Sequence, residues 1–101
     1  MKRFAIVVAA LAALCAGSTT VASESLAKSK NCLACHAVAS KLVGPAYKDV
    51  AAKYAAEDVD RLVNSIRKGS KGVWGTIPMM PNTRLSEDDA RKLATWILKM
   101  K

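Results

Sequence analysis

The sequence contains no apolar run long enough to cross a bilayer, which takes about twenty consecutive apolar residues. Its clearest run, Phe4 to Leu14, is far shorter. The chain also has little metal-binding capacity: one histidine, His36, and three cysteines, Cys15, Cys32 and Cys35. An ordinary zinc site wants four protein ligands, commonly as two separated pairs, and no second Cys/His pair exists. Basic residues are scattered among acidic ones instead of clustering, which argues against a nucleic-acid-binding stripe. Internal repeats, low-complexity segments and convincing strand patterns are absent as well.

The N-terminus has a purposeful layout. Met1-Lys2-Arg3 is a charged start, Phe4 to Leu14 an apolar stretch, and Ser18-Thr19-Thr20-Val21-Ala22 a small-residue end. This is the pattern of a secretory leader, so residues 1–22 are expected to be removed and 23–101 to form one exported, periplasmic domain without a stable membrane anchor. Cys15 suggests a lipoprotein signal as a rival, but Leu14 before it is bulky. Removing 22 of 101 residues leaves 79, a size at which one hydrophobic core is marginal and a staple is usual. A Cys32–Cys35 disulfide would close too small a loop to restrain the unfolded chain much. The staple must be of another kind. The formal charge of +8 loses Lys2 and Arg3 with the leader, leaving +6, a steering field for an acidic partner.

Helical patterns fill the rest, and the expected fold class is all-α, with about four helices and the first and last crossing. Ser23 or Ser25 can cap a helix running through Leu26 and Lys30 into the Cys32–His36 segment. Pro45 suits the first turn of a short helix from Ala46 to Tyr54. A third helix is predicted from Glu57 to Lys68, with Val59, Leu62, Val63 and Ile66 on one face and Gly69 as its stop. Ser86 and Asp89 open the last helix in capping-box style, and Ala90, Leu93, Trp96, Ile97 and Met100 form its stripe. Residues 69–85 make a long loop rich in Gly and Pro, too apolar for a solvated linker.

Cys32-Leu33-Ala34-Cys35-His36 carries the chemistry. A Cys-x-x-Cys-His run is a c-type haem attachment pattern. Two thiols on one side of a turn can add to two vinyl groups of one porphyrin, and the next residue supplies the proximal imidazole. A thiol–disulfide exchanger also uses Cys-x-x-Cys, but on a strand-helix-strand scaffold that this sequence lacks. The second axial ligand separates an electron carrier from an open-site gas binder or enzyme, since a thioether closes the iron and raises its potential. Met100 belongs to the helical stripe, which leaves Met79 and Met80. Pro81 biases Met80 towards extended backbone, where neighbouring side chains point to opposite sides; either register of the pair satisfies the spacing.

The chain resembles the short class I cytochromes c of bacterial periplasms, of the cytochrome c five-fifty-one type. The likeness spans nearly all of residues 24–101. It rests on Cys32-x-x-Cys-His36-Ala37, Val43-Gly44-Pro45-Ala46-Tyr47-Lys48-Asp49-Val50-Ala51, Gly72-Val73-Trp74-Gly75, Ile77-Pro78-Met79, Pro81-Asn82 and Trp96-Ile97-Leu98. It implies Met79 as distal ligand, a hydrogen bond from His36 to the Pro45 carbonyl, Asn82 donating to the Met79 sulfur, and Trp74 reaching a haem propionate. Plain packing is the alternative for Trp74. The chain departs from the family at Thr76 and Met80, where proline is usual, at Tyr54 and Ala27, where phenylalanine occurs, and at Ser65, where some members carry a propionate-pairing arginine that Arg67 could replace. The implied function is one-electron transfer, not enzymatic turnover, by a monomer. Its redox protein partners are a quinol-oxidising complex and a terminal reductase or oxidase. Lys28, Lys30, Lys41 and Lys48 could ring the exposed haem edge and tune association, or simply keep the protein soluble.

Overall fold

The computed structural model describes residues 22–101. The expected leader, apart from Ala22, lies outside the described residues, as does Cys15. Within them the fold is all-α. Helix α1 covers residues 22–29, α2 Tyr47–Lys53, α3 Val59–Lys68 and α4 Glu87–Leu98. Short 3-10 turns at Cys32–Ala34 and Ala56–Asp58 complete the set. None of these helices is long and apolar enough to cross a membrane.

Helix α1 does not run into the cysteine segment as the pattern predicts. Asn31 takes the left-handed conformation, φ 63° and ψ 19°, which asparagine tolerates better than most residues because its short polar side chain can bond locally. The break ends α1 and starts a separate turn, closed by His36 N–H donating to Cys32 O at 3.0 Å.

Helix α2 also differs from expectation. Its first helical residue is Tyr47 and its N-cap is Ala46, in extended backbone, so Pro45 stands outside the helix. Ala46 has no side-chain acceptor, and the first turn's N–H groups find partners elsewhere. Tyr47 N–H donates to Ala37 O at 2.9 Å and Lys48 N–H to Val38 O at 3.0 Å. The chain just after His36 thereby caps α2, satisfying donors that every helix start leaves open.

Helix α3 buries Leu62, Val63 and Ile66 and ends at Gly69, whose φ is 86°. Helix α4 starts where predicted: Ser86 Oγ accepts from Asp89 N–H at 3.1 Å, and Glu87, Asp88 and Asp89 fill the positive end of the dipole. Its buried face is Ala90, Leu93, Ala94, Ile97 and Leu98, because α4 packs against both α2 and α3. Trp96 and Met100 from the predicted stripe are only partly buried against that core. Ala27 of α1 is fully buried in the same cluster, and such small side chains let helices approach closely. Arg91 bridges α3 and α4 through Asp60 at 2.8 Å, an exposed pair that adds little stability.

The loop between α3 and α4 is tied at its base. Ser70 and Met79 form one antiparallel bridge, with N–H···O distances of 3.0 and 2.8 Å. Asn82 N–H donates to Ile66 O at 2.9 Å. Gly69 is required here: a Cβ on it would lie 2.7 Å from Met79 O.

Candidate haem site

A cavity of about 770 Å³ opens between the cysteine turn, α2, α3 and the methionine loop, within the usual range of about 300–1,000 Å³ for small-molecule and cofactor sites. All seven residues singled out from the sequence line it: Cys32, Cys35, His36, Pro45, Trp74, Met79 and Asn82.

His36 is held from three directions. Its Nδ1 lies 2.8 Å from Pro45 O; a carbonyl only accepts, so the neutral ring carries its proton on Nδ1. Nε2 keeps the lone pair that a metal ligand needs. One ring face stacks on Tyr47, with centroids 5.1 Å apart and planes 19° apart. Gly44 crowds the ring as well, since a Cβ there would fall 2.5 Å from Cε1. Gly44 is itself fixed by an N–H bond to Cys35 O at 2.7 Å.

The two thiols are free, Cys32 partly buried and Cys35 exposed. Burial pushes the Cys32 thiol above its usual pKa, against an opposing hydrogen bond from Tyr47. Burial likewise raises the Tyr47 hydroxyl, aided by the neighbouring Cys32. An attacking cysteine of a thiol exchanger needs the opposite shift, towards thiolate. The direction at Cys32 therefore counts against that chemistry.

The two candidate methionines differ in setting. Met79 is half-buried against the core cluster and its backbone is paired with Ser70. Met80 is 75 % exposed. Asn82 ties the methionine loop to the end of α1, with Nδ2 3.4 Å from Lys30 O. Trp74 meets Tyr54 edge-on at 6.5 Å, under Lys53 Nζ at 4.7 Å, so packing contacts are part of its role. Arg67 does not line the cavity; its Nε donates to Leu85 O at 3.3 Å. Ser65, Lys30, Lys41 and Arg84 do line it. Neither Tyr47 nor Arg84 was picked out by sequence reasoning. Only the side-chain pattern of the folded site reveals them, although Tyr47 sits inside a quoted motif.

The residues present fit a haem. Val43, Val73, Trp74, Ile77 and Met80 are exposed apolar side chains that line this one cavity. Such a collection in one concave place suits a large apolar ring. The paired thiols would serve to attach it, and the oriented imidazole would serve as a ligand to its iron.

Comparison with known proteins agrees. The family model described as Cytochrome c matches residues 21–101. Cytochrome c-552 of Nitrosomonas europaea is 51 % identical over 94 residues, covering 91 % of each chain. Cytochrome c-551 of Pseudomonas aeruginosa is 54 % identical over 80 residues, covering 77 % of this chain and 76 % of that one. The crystal structure of the Nitrosomonas europaea cytochrome c552 superposes with a TM-score of 0.75 at 52 % identity, covering 77 % of this chain and 99 % of that one. This chain belongs to the cytochrome c family, as a small class I electron-transport protein with one covalently attached c-type haem.

Proposed function

We propose that the mature protein, freed of residues 1–22, is a periplasmic one-electron carrier whose haem iron is closed by His36 and Met79. When bound, the haem supplies the redox couple. The chain's own residues do the rest. Cys32 and Cys35 anchor the ring by thioethers. Pro45 O holds the Nδ1 proton, which keeps Nε2 available and makes the imidazole a better donor. Met79 brings a thioether, which favours the ferrous state. Asn82 has a second amide N–H beyond the one near Lys30 O, suited to the Met79 sulfur. With His36 and Met79 both held by the chain, an iron bound between them would have little to reorganise on electron gain or loss and no place for substrate, which suits a carrier and not an enzyme.

The observation that carries this reading is the contrast between the two methionines: Met79 is packed on the core and pinned through its backbone, while Met80 is 75 % exposed. Docking to redox partners would use the cysteine-turn side. There Val38 and Leu42 are 42 % and 49 % exposed, with Lys41 and Lys48 close by in the chain. Lys28 faces Glu24 at 3.7 Å, so it contributes less free charge. A quinol-oxidising complex upstream and a terminal reductase or oxidase downstream complete the proposed route.

Visible spectra of the holoprotein test this directly. Sharp low-spin bands that carbon monoxide leaves unchanged in the reduced state are expected. Bands that shift with the gas would mean an open iron and a sensor or enzyme.

A further inference from the structure

Tyr47 enters the site by routes that the attachment motif does not use. Its side chain is 3 % exposed. Besides stacking on His36, it meets Trp96 of α4 edge-on, with centroids 5.7 Å apart and planes 71° apart. Its hydroxyl lies beside the Cys32 thiol, close enough for each to shift the other's titration. Its backbone N–H donates to Ala37 O, the residue after His36. One side chain thus touches the imidazole, a thiol and the last helix.

Each contact removes a freedom that the motif leaves open. The terminal torsion of histidine is broad, so rotation about the ring bond is weakly restrained by the side chain itself. The Pro45 hydrogen bond fixes where Nδ1 points, and a parallel ring at stacking distance fixes the tilt. A cysteine has three staggered χ1 wells, and a phenol tip beside the thiol favours the one that brings Sγ within its reach. A buried phenol is suited to both jobs, having an apolar body and a polar tip that needs a partner. Trp96 then ties the phenol to α4, so the unit cannot shift as a whole without disturbing the core.

We propose that Tyr47 is a positioning residue that holds the His36 imidazole plane and the Cys32 sulfur as one rigid unit, so that both meet the same porphyrin in register. The proposal rests on Cys32, Cys35 and His36 being the haem-binding residues. The covalent step it serves is an addition. The Cys32 S–H adds across a vinyl double bond, an S–C bond forms at one vinyl carbon, and the hydrogen ends on the other, with no net change of oxidation state. Tyr47 neither gives nor takes a proton in the overall step; it poses the sulfur.

Two variants, matured with haem as the wild type is, separate the two contacts. Tyr47→Phe keeps the stack and removes the hydroxyl. The expected result is an about fivefold rise in haem-bearing chains with a free thiol at Cys32, the change one net hydrogen bond sets. Alkylation and peptide mass locate that thiol, and the pyridine haemochrome of a singly attached haem accompanies it. Tyr47→Leu removes the stack, and the expected result is a changed spread of g values in the ferric electron paramagnetic resonance spectrum, which follows imidazole orientation. A Tyr47→Phe protein attached at both cysteines in wild-type proportion overturns the proposal, as do wild-type g values in Tyr47→Leu. Should Tyr47→Leu fail to accumulate, the thiol readout of Tyr47→Phe decides alone. A wild type without thioethers at Cys32 and Cys35 would instead overturn the underlying reading of the site.

Discussion

Gly44→Ala should lose most of its correctly ligated haem. The added Cβ would fall 2.5 Å from His36 Cε1, 2.9 Å from Nδ1 and 3.0 Å from Nε2. The imidazole has no retreat, because Tyr47 covers a face at 5.1 Å and Pro45 O holds Nδ1 at 2.8 Å. Nor can Gly44 move away freely, since its N–H bonds to Cys35 O at 2.7 Å and its own carbonyl accepts from Leu42 N–H. Something must yield, and any of these shifts turns the imidazole away from its held orientation. Overpacking of this kind costs about 1–3 kcal/mol in an ordinary core; here the strain falls on the proposed iron ligand. The measurement is haem content per chain, with the low-spin spectrum of what remains. Gly72→Ala is the control: nothing lies within 4 Å of its Cβ, although its φ of +79° makes the backbone pay a strain, about 1–2 kcal/mol. A normal spectrum is expected there. Equal haem loading in Gly44→Ala and wild type would mean that His36 is not held as described.

Met79→Ala should convert the carrier into a gas binder. Without the thioether, the reduced iron is expected to bind carbon monoxide, and the reduction potential to fall within the range of about 0.8 V that axial ligands span. Met80→Ala is expected to change neither. The asymmetry comes from the backbone. Ser70 and Met79 exchange both N–H···O bonds, which fixes Met79 at the foot of the loop, and Gly69 lets the two strands approach. Met80, one residue on, has no backbone bond across the loop among the described residues and is 75 % exposed at the rim of the same cavity. If Met80→Ala opens the iron and Met79→Ala does not, the loop binds in the other register.

Much of this was legible in the sequence, and the misses have specific causes. The attachment run Cys32–His36 and the cap at Ser86 are local patterns whose chemistry is complete within a few residues, and they read directly. The apolar face of α3 also reads directly, because Leu62, Val63 and Ile66 are large apolar residues on one buried stripe of the helix. Helix α4 has two helical neighbours, so its buried face widens to include Ala94 and Leu98; alanine gives a weak apolar signal, and a single-stripe reading passes over it. The break at Asn31 was missed because Lys28 to Asn31 continue a helical pattern, and only the φ of 63° shows the asparagine leaving it. The capping of α2 by Ala37 and Val38 carbonyls has no side-chain mark at all. The Ser70–Met79 bridge joins residues whose neighbours follow no period. Both depend on tertiary placement, which single-sequence patterns do not encode. They are also the contacts that set His36 and Met79, so the attachment motif points to His36 and the family resemblance to Met79, while long-range backbone bonds fix where both stand.

The central claim is that one cleft brings His36 and Met79 to the same iron, and methyl-labelled methionine in the reduced, diamagnetic holoprotein tests it most directly. A ligating methionine holds its methyl against the face of the porphyrin, where ring current moves its proton resonance far upfield. The expected result is one such methyl, which disappears in Met79→Ala and persists in Met80→Ala and Met100→Ala. An upfield methyl that survives Met79→Ala, or none in the wild type, would contradict it.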